Sequence, residues 1–212
     1  MRYFFLVVLC GFSICLFGQN KKAKKLLDKV STWYTSAESV EVKFDMFVTY
    51  PDEEALQYPS EVIQKGKKFL FRNSEQEYYG NGEDIWIYIR EQNEVQINDF
   101  DEDESEDYFI TPLDLLQQYK SGEYKYDLVG ESRTNSEIEF VPKDEFSDYA
   151  KFKIVIAKKD TTIERIIAFG KDGSQVAIQI NEITRDGSYD DALFEFDPSK
   201  YPGVRVEDLR LD

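Results

Sequence analysis

Val40-Glu41-Val42-Lys43-Phe44-Asp45-Met46-Phe47-Val48-Thr49 is the stretch on which the fold turns. Val42, Phe44 and Met46 alternate with Glu41, Lys43 and Asp45, a period of two that puts the apolar side chains on one face of a strand. The pattern then repeats down the chain. Ser60 to Gln64 and Phe69 to Arg72 flank the turn Lys65-Gly66-Lys67. Gln76 to Tyr79 and Ile85 to Ile89 flank Gly80-Asn81-Gly82, whose Asn-Gly step favours a tight hairpin. Glu94 to Asn98 adds a short strand. Tyr124 to Val129, Ser136 to Val141, Phe152 to Ala157, Thr162 to Phe169 and Gln175 to Thr184 continue the series, and Leu193 to Phe196 and Val204 to Val206 close it. Pro51 to Pro59 reads as an acidic connection.

Two segments read as helix. Ala23, Leu26, Leu27, Val30, Trp33 and Tyr34 recur at three- and four-residue steps. Thr111-Pro112 reads as a cap and first helical residue, with Leu113, Leu115, Leu116 and Tyr119 following and Gly122 after the end. The expected fold is therefore mainly β (α+β). A curved antiparallel sheet, long enough to curl into an incomplete barrel, has a concave face that the helices can cover as a lid.

Composition narrows the chemistry. The chain has 16 Phe, 14 Tyr and 2 Trp but no histidine. Both cysteines, Cys10 and Cys15, fall in the N-terminal apolar run, which starts after Arg2 and ends at Gly18. Residues 1–18 read as a cleaved secretory signal, and residues 19–212 as one domain. The domain then lacks the two side chains most used for catalysis and metal binding near neutral pH. No nucleophile motif or phosphate-binding glycine loop occurs. No catalytic residue, metal site or cofactor is expected. The formal net charge of −16 becomes one unit more negative once Arg2 is lost. That balance disfavours nucleic acid and anionic membranes. The acidic run Asp99 to Asp107 lacks the glycine of a calcium loop and reads as solvated. The lysines between Lys21 and Lys25 read as flanking charge.

From the residues alone, the aromatic and aliphatic faces fit either an ordinary core or the lining of an apolar cavity. The candidate lining is Val42, Phe44, Met46, Phe69, Phe71, Trp86, Tyr88, Leu113, Leu116, Ile154, Ile156, Ile166 and Ile178. A one-residue slip of register would turn any of these to the other face.

Several segments, in order, resemble the outer-membrane lipoprotein carrier family, LolA. Ala23 to Tyr34 resembles its opening helix, and Ser39-Val40-Glu41-Val42-Lys43-Phe44 its first long strand. Gly80-Asn81-Gly82-Glu83-Asp84-Ile85-Trp86-Ile87-Tyr88, continued by Asn93-Glu94-Val95, resembles its best-marked segment. Thr111 to Leu116, Ile163 to Phe169, Asp172-Gly173-Ser174-Gln175 and Ile178 to Asn181 are similar to later elements. Phe194-Glu195-Phe196-Asp197-Pro198 and Pro202-Gly203-Val204 are similar to its ending.

The resemblance implies an incomplete barrel lidded by helices. It implies a periplasmic, chaperone-like transport protein, a monomer, that hides the acyl chains of lipoproteins. The implied partners are acylated lipoproteins, an inner-membrane lipoprotein-releasing ABC transporter and an outer-membrane acceptor. In the family an arginine of the third strand helps to hold and release the lid, and the nearest counterpart here is Lys65, which makes fewer directed hydrogen bonds. A different reading is a lipid-binding or envelope-stress sensor of the same fold without transfer activity. A hydrolase built on two carboxylates has no motif behind it.

Overall fold

A computed structural model describes residues 15–100 and 119–210. The helix α1 spans Cys15–Thr35, so the expected cut after Gly18 lies in its first turn. Twelve strands follow: β1 (Val40–Thr49), β2 (Leu56–Lys65), β3 (Lys68–Arg72), β4 (Gln76–Gly80), β5 (Asp84–Ile89), β6 (Glu94–Asp99), β7 (Tyr124–Glu131), β8 (Asn135–Pro142), β9 (Tyr149–Ala157), β10 (Ile163–Gly170), β11 (Gln175–Arg185) and β12 (Arg205–Asp208). They form one sheet in the order β12-β6-β5-β4-β3-β2-β1-β11-β10-β9-β8-β7. All neighbours are antiparallel except β12, which runs parallel to β6. The two ends of the series, β12 and β7, are not paired with each other, so the curved sheet is an unclosed barrel.

Local chemistry explains most boundaries. Gly66, Gly82 and Gly173 turn three hairpins with positive φ. Bulges at Lys43/Phe44, Leu128/Gly130 and Phe169/Gly170 interrupt the register and add the local twist a curling sheet needs. The acidic connection expected over Pro51 to Pro59 is shorter than its sequence suggested. β2 begins at Leu56 and includes Pro59, opposite Asp45. β3 ends at Arg72, opposite Glu61, so no strand beyond Pro59 is owed the N–H that proline lacks.

The sheet carries a separate apolar cluster on each face. The concave face joins β1–β5 and β7–β11 to α1 through Ala23, Leu27, Val30 and Tyr34. The convex face of β2–β6 is covered by a C-terminal strap, residues 189–204, which brings Phe194 and Phe196 against Ile63, Leu70, Tyr79 and Tyr88. Two short 3-10 turns, Asp191–Phe194 and Pro198–Lys200, shape the strap, each capped by an aspartate that accepts from the backbone. Most of the helix expected over Thr111 to Gly122 lies outside the described residues; residues 119–121 are helical.

Candidate functional site: the concave apolar face

Strand register assembles the concave face from rows of side chains. Met46 of β1 pairs with Ile178, and the row runs on through Ile166, Ile154, Ile138 and Leu128 to β7. Val48 heads a parallel row through Val176, Ala168, Phe152, Phe140 and Tyr126. On the other side of β1, Val42 leads through Val62, Phe71 and Tyr78 to Ile87. None of these rows contains a charged residue. Ring contacts knit them: Phe44 and Phe71 lie 6.4 Å apart, Phe71 and Tyr78 5.6 Å, Tyr126 and Phe140 5.8 Å, and Tyr149 and Phe152 4.8 Å between centroids.

α1 closes one end of this face. Its buried residues Ala23, Leu27, Val30, Ser31 and Tyr34 follow the three- and four-residue spacing of one helical stripe. Burial pushes the Tyr34 phenol well above its ordinary value. At the helix C-terminal end the Arg185 guanidinium lies 4.7 Å from the Trp33 ring and donates to Ser36 Oγ at 3.1 Å. At the other end Asn20 Nδ2 donates to the Tyr126 carbonyl at 3.1 Å. Tyr119 donates to Asp28 at 2.9 Å. The hydrogen bonds of Lys24 and then Tyr119 hold the Asp28 carboxyl below its usual value.

Toward the opposite end the cover in β1 and β2 is thinner among the described residues. In β1, Val40, Val42 and Phe44 are buried but Met46 and Val48 are only half-buried. In β2, Val62 and Ser60 are buried, Tyr58 is half-buried, and Leu56 is 49 % exposed. In β9, Ile156, Ile154 and Phe152 are buried, and Tyr149 is half-buried. Coverage therefore thins in β1, in β2 and at Tyr149 toward a mouth ringed by the β1–β2, β8–β9 and β10–β11 connections, while Ala168, Phe152 and Phe140 stay buried behind it.

Nine of the expected lining residues meet on this face: Val42, Phe44, Met46, Phe69, Phe71, Ile154, Ile156, Ile166 and Ile178. Trp86 and Tyr88 do not join them. They point to the convex face, where Ile63, Leu70, Tyr79, Trp86 and Ile97 form one row. Tyr88 lies 5.6 Å from Phe196 and 4.4 Å from Tyr201. The reason is parity: Ile85 and Ile87 share the concave side of β5, so Trp86 and Tyr88 must take the other. Lys65 is also convex. Its ammonium donates to the Tyr189 carbonyl at 3.1 Å and pairs with Asp191 at 3.0 Å, fastening the strap. A latch between Lys65 and a lid is therefore not the contact formed among the described residues. Leu113 and Leu116 lie outside the described residues. The sequence reading missed Val62, Ile87, Ile138 and Phe140. The alternation in Ser136-Glu137-Ile138-Glu139-Phe140 was the signal for two of them.

An unclosed curved sheet with an uncharged concave face, covered at one end by a helix and less covered at the other among the described residues, defines a class of proteins with a one-sided apolar surface. The model of the outer membrane lipoprotein carrier protein LolA matches residues 35–197. The chain belongs to the LolA family. No curated protein matches it. Solved structures are similar to the chain at low identity. An uncharacterized conserved protein from Thermus thermophilus is 12 % identical, with a TM-score of 0.57 over 88 % of this chain and 99 % of that one. A DUF1329 family protein from Desulfovibrio piger is 16 % identical, with a TM-score of 0.49 over 86 % and 99 %. A LolA superfamily protein from Nitrosomonas europaea is 13 % identical, with a TM-score of 0.45 over 82 % and 97 %. At 12 % identity the likeness to the Thermus thermophilus protein is one of fold.

Proposed function

We propose that this protein is a periplasmic carrier that holds the acyl chains of lipoproteins against its concave face and ferries them from the inner to the outer membrane. The observation that carries the reading is that coverage thins along β1 and β2 across uncharged rows, from buried Val42 and Val62 to half-buried Met46, Val48 and Tyr58 and exposed Leu56. Each methylene withdrawn from water is worth about 0.8 kcal/mol, so one long acyl chain needs roughly 10 kcal/mol of shelter. A lining without charged anchors gives adaptable, non-directional binding, which suits a host that must later release. Membership of the lipoprotein carrier family supports the cargo class. On this reading the donor is an inner-membrane lipoprotein-releasing ABC transporter, and the recipient is an outer-membrane acceptor. The protein works by binding rather than catalysis. No helix among the described residues is long and apolar enough to cross a membrane.

The test is a fluorescent triacylated peptide offered to the purified protein and then to acceptor vesicles. Binding and onward transfer are expected. Met46→Glu puts a carboxylate at the mouth and lowers affinity by about tenfold or more. Binding without any transfer would turn the assignment toward a sensor. Failure to bind the peptide at all would remove the carrier.

A further inference from the structure

Phe146 is 92 % exposed, far more than any other large apolar side chain described. It stands on the β8–β9 loop at the mouth of the concave face. An aromatic ring left in water is expected of a loop tip that is disordered or that docks. This loop is tethered. The Phe146 N–H donates to Asp144 at 2.9 Å. The Lys171 ammonium donates to the Glu145 carbonyl at 2.6 Å, and the Lys171 N–H to the Asp148 carbonyl at 2.9 Å. The Lys143 ammonium donates to the Gly122 carbonyl.

These tethers join the loop to a continuous rim. The β10–β11 turn that holds Glu145 and Asp148 also abuts the β1–β2 loop, because a Cβ on Gly173 would lie 3.1 Å from Pro51. That loop begins with exposed Tyr50 and leads into exposed Leu56, the first residue of β2, at 47 % and 49 %. Charge on the rim is one-sided. Exposed Asp52, Glu53 and Glu54 follow Tyr50 in the chain, and exposed Asp144, Glu145 and Asp148 flank Phe146. The lysines, Lys143 and Lys171, turn their ammonium groups back onto backbone carbonyls.

We propose that this rim is a docking collar for a protein partner, whose face offers an apolar pocket for Phe146 ringed by lysine or arginine side chains. A pre-ordered aromatic anchor inside a charged rim is the anatomy of a binding hot spot. The carboxylates decide the class of partner: they repel an anionic lipid surface and complement a basic protein. The proposal rests on the carrier reading for its purpose, since a partner seated here faces the opening through which cargo passes.

The test places the photo-crosslinker p-benzoylphenylalanine at position 146 of the full chain, in its native envelope. The same group at Val129, exposed at the far end of β7, serves as control. A protein crosslink specific to position 146 is expected. The isolated partner should lose at least about tenfold in affinity with Phe146→Ser and with the triple change Glu53→Lys, Glu54→Lys, Glu145→Lys. Crosslinks to lipid only, to a second copy of this chain, to a protein that ignores the charge reversal, or to nothing would each overturn the proposal. So would flotation with phosphatidylcholine or phosphatidylglycerol vesicles that Phe146→Ser abolishes. Affinity for the triacylated peptide, measured on the same variants, is expected to stay unchanged. Loss of peptide binding by the unaltered protein would instead count against the carrier reading alone.

Discussion

Gly80 is glycine for room rather than for backbone freedom. It faces Phe69 across β3 and β4, and a Cβ there would come within 2.3 Å of the ring. Gly80→Ala must displace a half-buried aromatic side chain of the concave face, so it should cost about 1–3 kcal/mol in urea unfolding. The residues that fasten the strap give a pH signature. Asp191 is held below its ordinary value by Lys68 and then Lys65, and Glu41 by the hydroxyl of Tyr189 at 2.5 Å. Depressed carboxylates contribute stability that is present above their unfolded values and lost as pH falls through the depressed ones. Tyr189 shifts the other way, pushed up to about 12 by burial and then by Glu41. Its contribution is present below its ordinary value of 10.0 and lost as pH rises toward about 12. The strap should therefore hold at neutral pH and loosen below about 4 and above about 10. Trp33→Phe leaves Trp86, which packs beneath the strap, as the sole indole reporter. Its emission should shift red at both extremes. Lys65→Ala with Lys68→Ala should shrink only the acid limb, and Tyr189→Phe should remove the alkaline one.

β5 shows how far alternation can be read. Its sequence, Asp84-Ile85-Trp86-Ile87-Tyr88-Ile89, is apolar on both faces because both faces are covered, one by the concave cluster and one by the strap. A strand of that kind announces itself but not its orientation, and so Trp86 and Tyr88 were expected on the wrong side. β1 is the contrary case: Glu41, Lys43 and Asp45 mark the outer face, and Val42, Phe44 and Met46 share the other. The strap was legible as residues but not as a cover. Its short 3-10 turns bury Phe194 and Phe196 through pairings with no periodicity of their own. The two faces should consequently behave as separate elements. Phe196→Ala removes a ring that contacts Tyr79, Tyr88 and Tyr201 and should cost about 3–5 kcal/mol in urea unfolding. Acyl-peptide affinity should change by less than about twofold, as expected for sites that share no partners. A large loss of affinity would mean that the convex cluster reaches the cargo.

Taken whole, the molecule uses one sheet as a partition. Leaving the barrel unclosed produces two edges, and these are guarded differently. β7 alternates Lys125, Asp127 and Glu131 outward and has α1 beside it, while short β12 lies on β6. Charged and short edge strands discourage pairing with other chains. The partition also implies that ligand on one side need not disturb the other. Hydrogen exchange can read this directly, because a ligand at about 100 times its Kd adds roughly 2.7 kcal/mol of protection to each amide that opens only when the ligand leaves. Loading with a triacylated peptide should slow exchange in α1 and in the mouth halves of β1, β2 and β9, where coverage is thinnest without cargo. Amides of residues 189–204 should keep their rates, since their core lies on the far side of the sheet. Slowing confined to the strap, with α1 unchanged, would put the ligand on the convex face and make the concave rows an ordinary packed core.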